Sequence, residues 1–566
     1  MSDANYPSIE NYPNGTDWNM EITPRPLYEM LDETAAEFSD NLAFDFLGKT
    51  WKWGEIKEQV DDFAAALQHK LDVKKGTKVG IFLPNSPYYL VAFYAILKAG
   101  GTVVNFNPLY AERELSHQIE DSEVDFMVTL DLDMLYEKMQ AMLNGSRLKK
   151  IIVCKFTDIL PFPKNLLFPL VKRGDMAKIK SFRRKFWYHE LLDDVKSNNL
   201  KAESVEIDPV EDVAVLQYTG GTTGVPKGAM LTHQNLHANA VQCQAWFPDD
   251  LKRGEGRMLG VLPFFHVFAM TTILNVSVIN GYQIIAMPRF ELKDALKTIV
   301  RTKPHLFPAV PAIYNAINNF KGLDKFDLSS LKFCVSGGAP LPVEVKKEFE
   351  KITGCIVVEG YGLTESSPVA SANPFVGENV PGSIGLPFPQ TVIEIIDPED
   401  KKTPVPTGER GELCIRGPQV MKGYYNKQEA TDETIIDGRL HTGDIAIIDE
   451  KGYVYIVDRI KDMIITNGYN VYPRNIEEVI YLHPSVEECI VAGLPDENRG
   501  EIVKAWIKLK EGRELSVEDL RAFLDDKLGK MEMPKRIEFR DEPLPKTMIG
   551  KLSRKDILAE ELGEKE

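Results

Sequence analysis

Several things that a chain of 566 residues could carry are missing from this one. Cysteine is scarce: Cys154, Cys243, Cys334, Cys355, Cys414 and Cys489 form no CxxC pair and no tight spacing with histidine. That argues against a disulfide framework or a zinc module and fits free thiols in a reducing compartment. No stretch approaches ~18 uninterrupted apolar residues, so no membrane-spanning helix is expected. The start, MSDANYPSIENYPNGTDW, is polar and acidic, unlike a secretory signal, and points to a cytoplasmic protein. Positive charge is also short. With 67 Lys and Arg against 84 Asp and Glu, the net charge of −17 argues against a nucleic-acid partner, which needs a cationic face.

What is present reads as an ordinary globular composition, 43% hydrophobic and 27% charged. Short apolar runs alternate with amphipathic helical patterns: KVGIFL before PYYLVAFYAILKAGG, DFMVTL before MLYEKMQAML, KFCVSGG before PVEVKKEFEKITG. Such alternation predicts parallel β/α units. From about Gly385 the texture becomes TVIEIID, GELCIRG and AIIDEKGYVYIVD, which predicts a smaller antiparallel sheet. After Asp458 comes a compact α+β block of about 105 residues, jointed in DRIKDMI near Lys461. The expected fold class is therefore α/β, with a large N-terminal domain over residues 1–460, a small β subdomain from about 385, and a small α+β domain over 461–566. One insert stands apart. Lys155–Trp187 is apolar and basic in an acidic chain, and reads either as a hairpin packed on its own domain or as a peripheral contact with an anionic membrane, on its inner face.

The stretch YTGGTTGVPKGAMLTH, Tyr218–His233, follows the apolar run VAVLQ. It is not GxxxxGK[ST], because Lys227 lies between Pro226 and Gly228, and it is not GxGxxG. Gly220, Gly221 and Gly224 with Thr219, Thr222 and Thr223 still offer N–H and O–H donors to an anion, and Lys227 adds charge. On glycine content alone a surface turn is an equal reading. Residue order decides. The stretch closely resembles the phosphate-binding loop of the acyl-adenylate-forming enzymes (acyl-CoA synthetases, adenylation domains, luciferase-like ligases). Further blocks follow in that family's order: LPFFHVFA (Leu262–Ala269), SGGAP (Ser336–Pro340), GYGLTES (Gly360–Ser366), HTGDIAIIDEKGYVYIVDRIKD (His441–Asp462) and PKTMIGKLSRK (Pro545–Lys555). The resemblance spans about residues 30–560.

The resemblance implies a two-step reaction. A carboxylate and ATP give acyl-AMP and pyrophosphate; a thiol then displaces AMP. Thr219–Lys227 would hold the β- and γ-phosphates, Thr364 the α-phosphate, and Glu365 Mg²⁺. Gly338, Ala339, Tyr361 and Gly362 would frame the adenine, with Tyr361 stacking on it. Asp444 and Arg459 would meet the ribose. Lys551 would bridge the carboxylate and α-phosphate, and Lys461 would be the hinge of a mobile C-terminal domain. Gly468 would let the thiol arm of coenzyme A pass, and His266 would line the acyl pocket. The Asp437–Lys461 stretch is similar to the signature of fatty acyl-CoA synthetases, and overall the chain looks most like a bacterial long-chain fatty acid–CoA ligase. Two positions depart from that pattern: Arg439 stands where an aromatic residue is usual, and Met270 where some members carry a tryptophan gate. An acyl-AMP ligase loading a carrier protein and a nucleotide-binding scaffold without chemistry stay open as alternatives. The resemblance also admits a homodimer.

Overall fold

The computed structural model describes residues 11–13, 15–179, 183–219, 226–248, 251–467, 469–496, 499–547 and 550–563. Two large sheets carry the first part of the chain. The nine-stranded sheet has a parallel centre: Phe44–Phe46, Gln283–Ala286, Arg257–Gly260, Leu306–Ala309, Phe333–Ser336 and Ile356–Glu359 run in one direction. The eight-stranded sheet is parallel from Val213–Thr219 through Thr102–Asn105 to Lys185–Trp187, and on its other side adds two antiparallel strands, Lys227–Thr232 and the edge strand Gly423–Tyr424. KVGIFL and its follower show why. Lys78–Ile81 is a buried strand, Pro at the first helical turn starts Pro87–Lys98, and nearly every side chain of that helix is buried.

As expected, the texture changes after Gly385. Val392–Ile396, Gly411–Arg416, Arg439–Ile448 and Val454–Arg459 form an antiparallel sheet. A fourth sheet, built on Val486–Asp496 and Gly500–Leu509, belongs to the last block. The hydrophobic cores separate at the joint: one cluster ends at Val454, and the other two lie between Ile464 and Ile557. All six cysteines are free and buried. Among the described residues no helix is long and apolar enough to cross a membrane.

The insert splits into two unlike halves. Its end is structural: Lys185–Trp187 is the edge strand of the eight-stranded sheet. Arg184 donates to the carbonyls of Lys149 at 2.8 Å, Leu143 at 2.6 Å and Leu148, while Lys185 bonds Tyr136 and Gln140. These two cations hold a sheet edge, so this part of the insert packs on its own domain, one of the two readings of the sequence. Its first half, around the helix Lys164–Val171, stays exposed.

Candidate active site

The expected phosphate loop begins and ends on two paired antiparallel strands, Val213–Thr219 and Lys227–Thr232. Thr219 and Lys227 are register partners at the ends of its two strands. Gly220, Gly221, Thr222, Thr223 and Gly224 lie outside the described residues, as does Gly468. The ammonium of Lys227 sits 5.0 Å from the centre of the Tyr424 ring, a cation–π distance. The Tyr424 hydroxyl donates to Glu365 Oε1 at 2.6 Å, and burial together with that carboxylate raises the phenol pKa. Tyr424 therefore ties the loop lysine to the expected metal carboxylate. Sequence reading missed it, because a tyrosine in KGYYN carries no spacing signal.

Thr364–Ser366 is one tight turn at the end of the strand Ile356–Gly362. Gly362 is required there: a Cβ would come 2.0 Å from the Pro368 carbonyl. The acyl segment is bonded to the same turn, since Thr271 Oγ1 donates to the Ser367 carbonyl at 2.6 Å. Met270–Asn275 is a π-helical stretch, a distortion that recurs at functional sites. Met270, at the gate position, is fully buried, and its sulfur accepts from Asn105 at 3.4 Å. Arg439 is part of the β subdomain, bonded to Glu394 at 2.8 and 3.2 Å.

The nucleoside side is built from three elements. The Tyr361 hydroxyl donates to Asp444 Oδ2 at 2.5 Å, and Arg459 Nε approaches Asp444 Oδ1 at 3.4 Å from the paired strand. Burial and the Asp444 charge push the Tyr361 phenol well above its ordinary pKa, so it stays a donor. Asp444 is in turn held by its own turn. Thr442 Oγ1 accepts from the Asp444 N–H at 3.1 Å, and buried Glu412 accepts from Gly443 N–H at 3.0 Å and faces His441 Nδ1 at 2.8 Å. Glu412, Cys414 and His441 are close enough to suggest a metal site, but these are hydrogen-bond distances around one ring nitrogen. Gly338 is exposed with φ +78°, and Ala339 follows it, beside the Phe268 ring and Gly360 that flank Gly337.

Lys551 closes the site. It lies in a short turn where the Thr547 N–H donates to the Lys551 carbonyl at 2.6 Å. Burial, reinforced by the Arg459 charge, pulls its ammonium down to about 8; Asp444 opposes that shift. His266 is pulled down to about 4 by burial and by the Lys551 charge, and so is neutral at pH 7. The lysine of the last block thus stands within electrostatic reach of both the ribose block and the acyl segment. Lys461 is exposed, in the single turn Ile460–Asp462.

Paired strands ending at Thr219 and Lys227, a Tyr361–Asp444 hydrogen bond and a lysine from the last block give this chain the groups that an adenylating enzyme would use. Its sequence agrees: the AMP-binding enzyme family matches residues 31–425, and the AMP-binding enzyme C-terminal domain matches residues 475–551, so the chain belongs to that family. It is 44% identical over 556 residues to the long-chain-fatty-acid–CoA ligase of Bacillus subtilis, covering 98% of each chain. It is 38% identical to an Escherichia coli protein of the same name, again over 98% of both. Among solved structures it resembles ATP-bound MatB from Rhodopseudomonas palustris (TM-score 0.79, 26% identity, 94% of this chain and 98% of that one). The fold also matches the anthranilate CoA ligase AuaEII with anthranoyl-AMP (TM-score 0.84, 23% identity, 97% and 99% covered).

Proposed function

We propose that this chain joins a medium- or long-chain fatty acid to ATP, giving acyl-AMP and pyrophosphate, and then transfers the acyl group to coenzyme A with release of AMP. The charge of Lys551 supports the reading, because it acts on His266 of the acyl segment and is itself acted on by Asp444 of the expected ribose block. An anionic carboxylate attacking a polyphosphate needs charge absorbed at that meeting point. Lys227 and the hairpin donors hold the outer phosphates, Thr364 donates to the α-phosphate, and Asp444 accepts from the ribose hydroxyls. Mg²⁺ is normally held by one or two carboxylates plus substrate phosphates, and Glu365 beside Lys227 fits that donor set. The ion would supply further charge neutralisation on the phosphates. The two domains, 1–460 and 461–566, turn about Lys461 between the half-reactions, exchanging Lys551 for the loop at Gly468. Peripheral contact with an anionic membrane belongs to the same reading.

Two measurements test it. Lys551→Ala should lower pyrophosphate release from acid and ATP by about 10²–10³-fold, while thioester formation from synthetic acyl-AMP persists. Equal loss of both half-reactions in a folded variant rejects the two-conformation scheme. Across chain lengths, kcat/KM should rise from C6 to about C12–C16, as each buried methylene adds up to roughly 0.8 kcal/mol. An optimum at C2–C4 rejects the long-chain reading and leaves the adenylate chemistry standing.

A further inference from the structure

The helix Lys164–Val171 reads KNLLFPLV, and none of its residues is buried. Leu166, Leu167, Leu170 and Val171 are 61, 50, 76 and 76% exposed, and Phe162 just before it is 79% exposed. No other ten-residue stretch among the described residues shows five large apolar side chains in water. Helical spacing sorts them. Leu167 and Val171, four apart, line a cleft of about 300 Å³, while Leu166 and Leu170 lie outside that lining. The floor of the cleft is Leu47, Phe156 and Leu160, and Lys164 and Lys172 stand at its edge. A helix apolar on every side is normally a buried one, so this one needs an occupant.

We infer that this cleft is a second acyl site, which takes the chain of a free long-chain fatty acid and meets its carboxylate with one of the two lysines that line it, Lys164 at the start of the helix or Lys172 just past its end. The inference rests on the fatty-acid reading above. Complementarity carries it on both counts. The lining is almost wholly apolar and single-chain in scale, at the low end of ligand-pocket volumes. The edge is cationic on a chain whose net charge is −17, so it is a local exception that an amphipathic anion would select; Lys172 has only a loose pairing with Asp175, at 3.6 Å. Position supports it further. Phe168 of the helix packs on Phe156 at 5.0 Å, and Phe156 packs on Phe46 at 6.4 Å. Phe44, on the same face of the strand Leu42–Phe46, packs on Phe264 at 6.4 Å, two residues from His266. One strand therefore touches the aromatic floor of the cleft at Phe46 and the acyl segment two residues away at Phe44. A fatty acid held there is concentrated near the segment expected to line the acyl pocket.

The test uses the full chain with its active site filled by a non-reactive palmitoyl-adenylate analogue, and measures equilibrium binding of radiolabelled palmitate. One further palmitate per chain is expected. Leu167→Asn with Val171→Asn should weaken it at least 10-fold, Leu166→Asn with Leu170→Asn should leave it, and all should adenylate octanoate like the parent. Absence of the extra palmitate, or unchanged affinity in the Leu167/Val171 variant, overturns the inference. So does binding of phosphatidylglycerol vesicles through Leu167 and Val171 without palmitate binding, since the occupant is then a bilayer. Pyrophosphate release with palmitate is run alongside. If the parent protein releases none, the fatty-acid reading itself falls; if it does but binds only the analogue, this inference alone falls.

Discussion

At the scale of single residues, the site works by placing few charges where neighbours set their state. Lys551 is a cation only below its pKa of about 8, which burial and Arg459 have lowered. Adenylation needs the charged form. Its kcat/KM should therefore hold steady below pH 8 and fall above it, since that parameter reports the free enzyme. Lys551→Arg, whose charge does not titrate in this range, should be slower but lose the alkaline fall. A pH series of pyrophosphate release checks both. Glu412 acts one step back. By accepting from Gly443 N–H and facing His441, it fixes the turn from which Asp444 projects. A hydrogen bond to a charged group contributes about 1.5–3 kcal/mol, so Glu412→Ala should raise the KM for ATP roughly tenfold or more. It should also narrow the preference for ATP over 3′-deoxy-ATP, a contrast that general loosening of the fold would not narrow.

At the scale of elements, the basic insert shows how one stretch of sequence can hold two jobs. Arg184 donates to three backbone carbonyls, one in the last turn of the helix Asp133–Gly145 and two just before the strand Lys150–Cys154. Arg184→Ala should lower the denaturant midpoint, by an amount equivalent to about 1–3 kcal/mol, with activity per folded molecule unchanged. A variant as stable as the parent would show the edge strand does not depend on those bonds. Twenty residues earlier the same insert carries apolar side chains that stay half or more exposed among the described residues. The contrast arises from partners: one half finds a sheet to join, and the other does not.

At the scale of the whole molecule, the last domain is held by charge as well as by packing. Arg554 donates to Val491 O at 3.0 Å, Asp462 at 3.0 Å and Glu477 at 2.7 Å, and approaches Asp458 at 3.6 Å. Asp458 lies before the hinge, is buried, and also accepts from the Arg474 N–H at 2.8 Å. Burial raises its pKa although Arg554 opposes the shift. Asp458 is thus one point at which residues before the proposed hinge hold the last block, as Lys321 does with Glu511 at 2.6 Å. Asp458→Ala should slow adenylation about tenfold and leave thioester formation from acyl-AMP unchanged or faster, with the two half-reactions assayed separately. Equal slowing of both would place Asp458 outside the domain movement.

The sequence by itself determined the class. Periodicity showed parallel β/α units giving way to a small antiparallel sheet, and the ordered blocks from Thr219 to Lys551 named the chemistry, because local patterns and motif order survive in one dimension. It could not place Tyr424 between Lys227 and Glu365, nor Glu412 beneath the Asp444 turn, since these contacts join residues 59 and 31 positions apart with no spacing of their own. Nor could it divide the insert: nine basic and two acidic side chains between Lys155 and Trp187 look like one patch until the fold gives Arg184 and Lys185 partners and leaves Leu166 and Leu170 in water. Pairing and burial belong to two surfaces at once, and only the tertiary structure decides which surfaces meet.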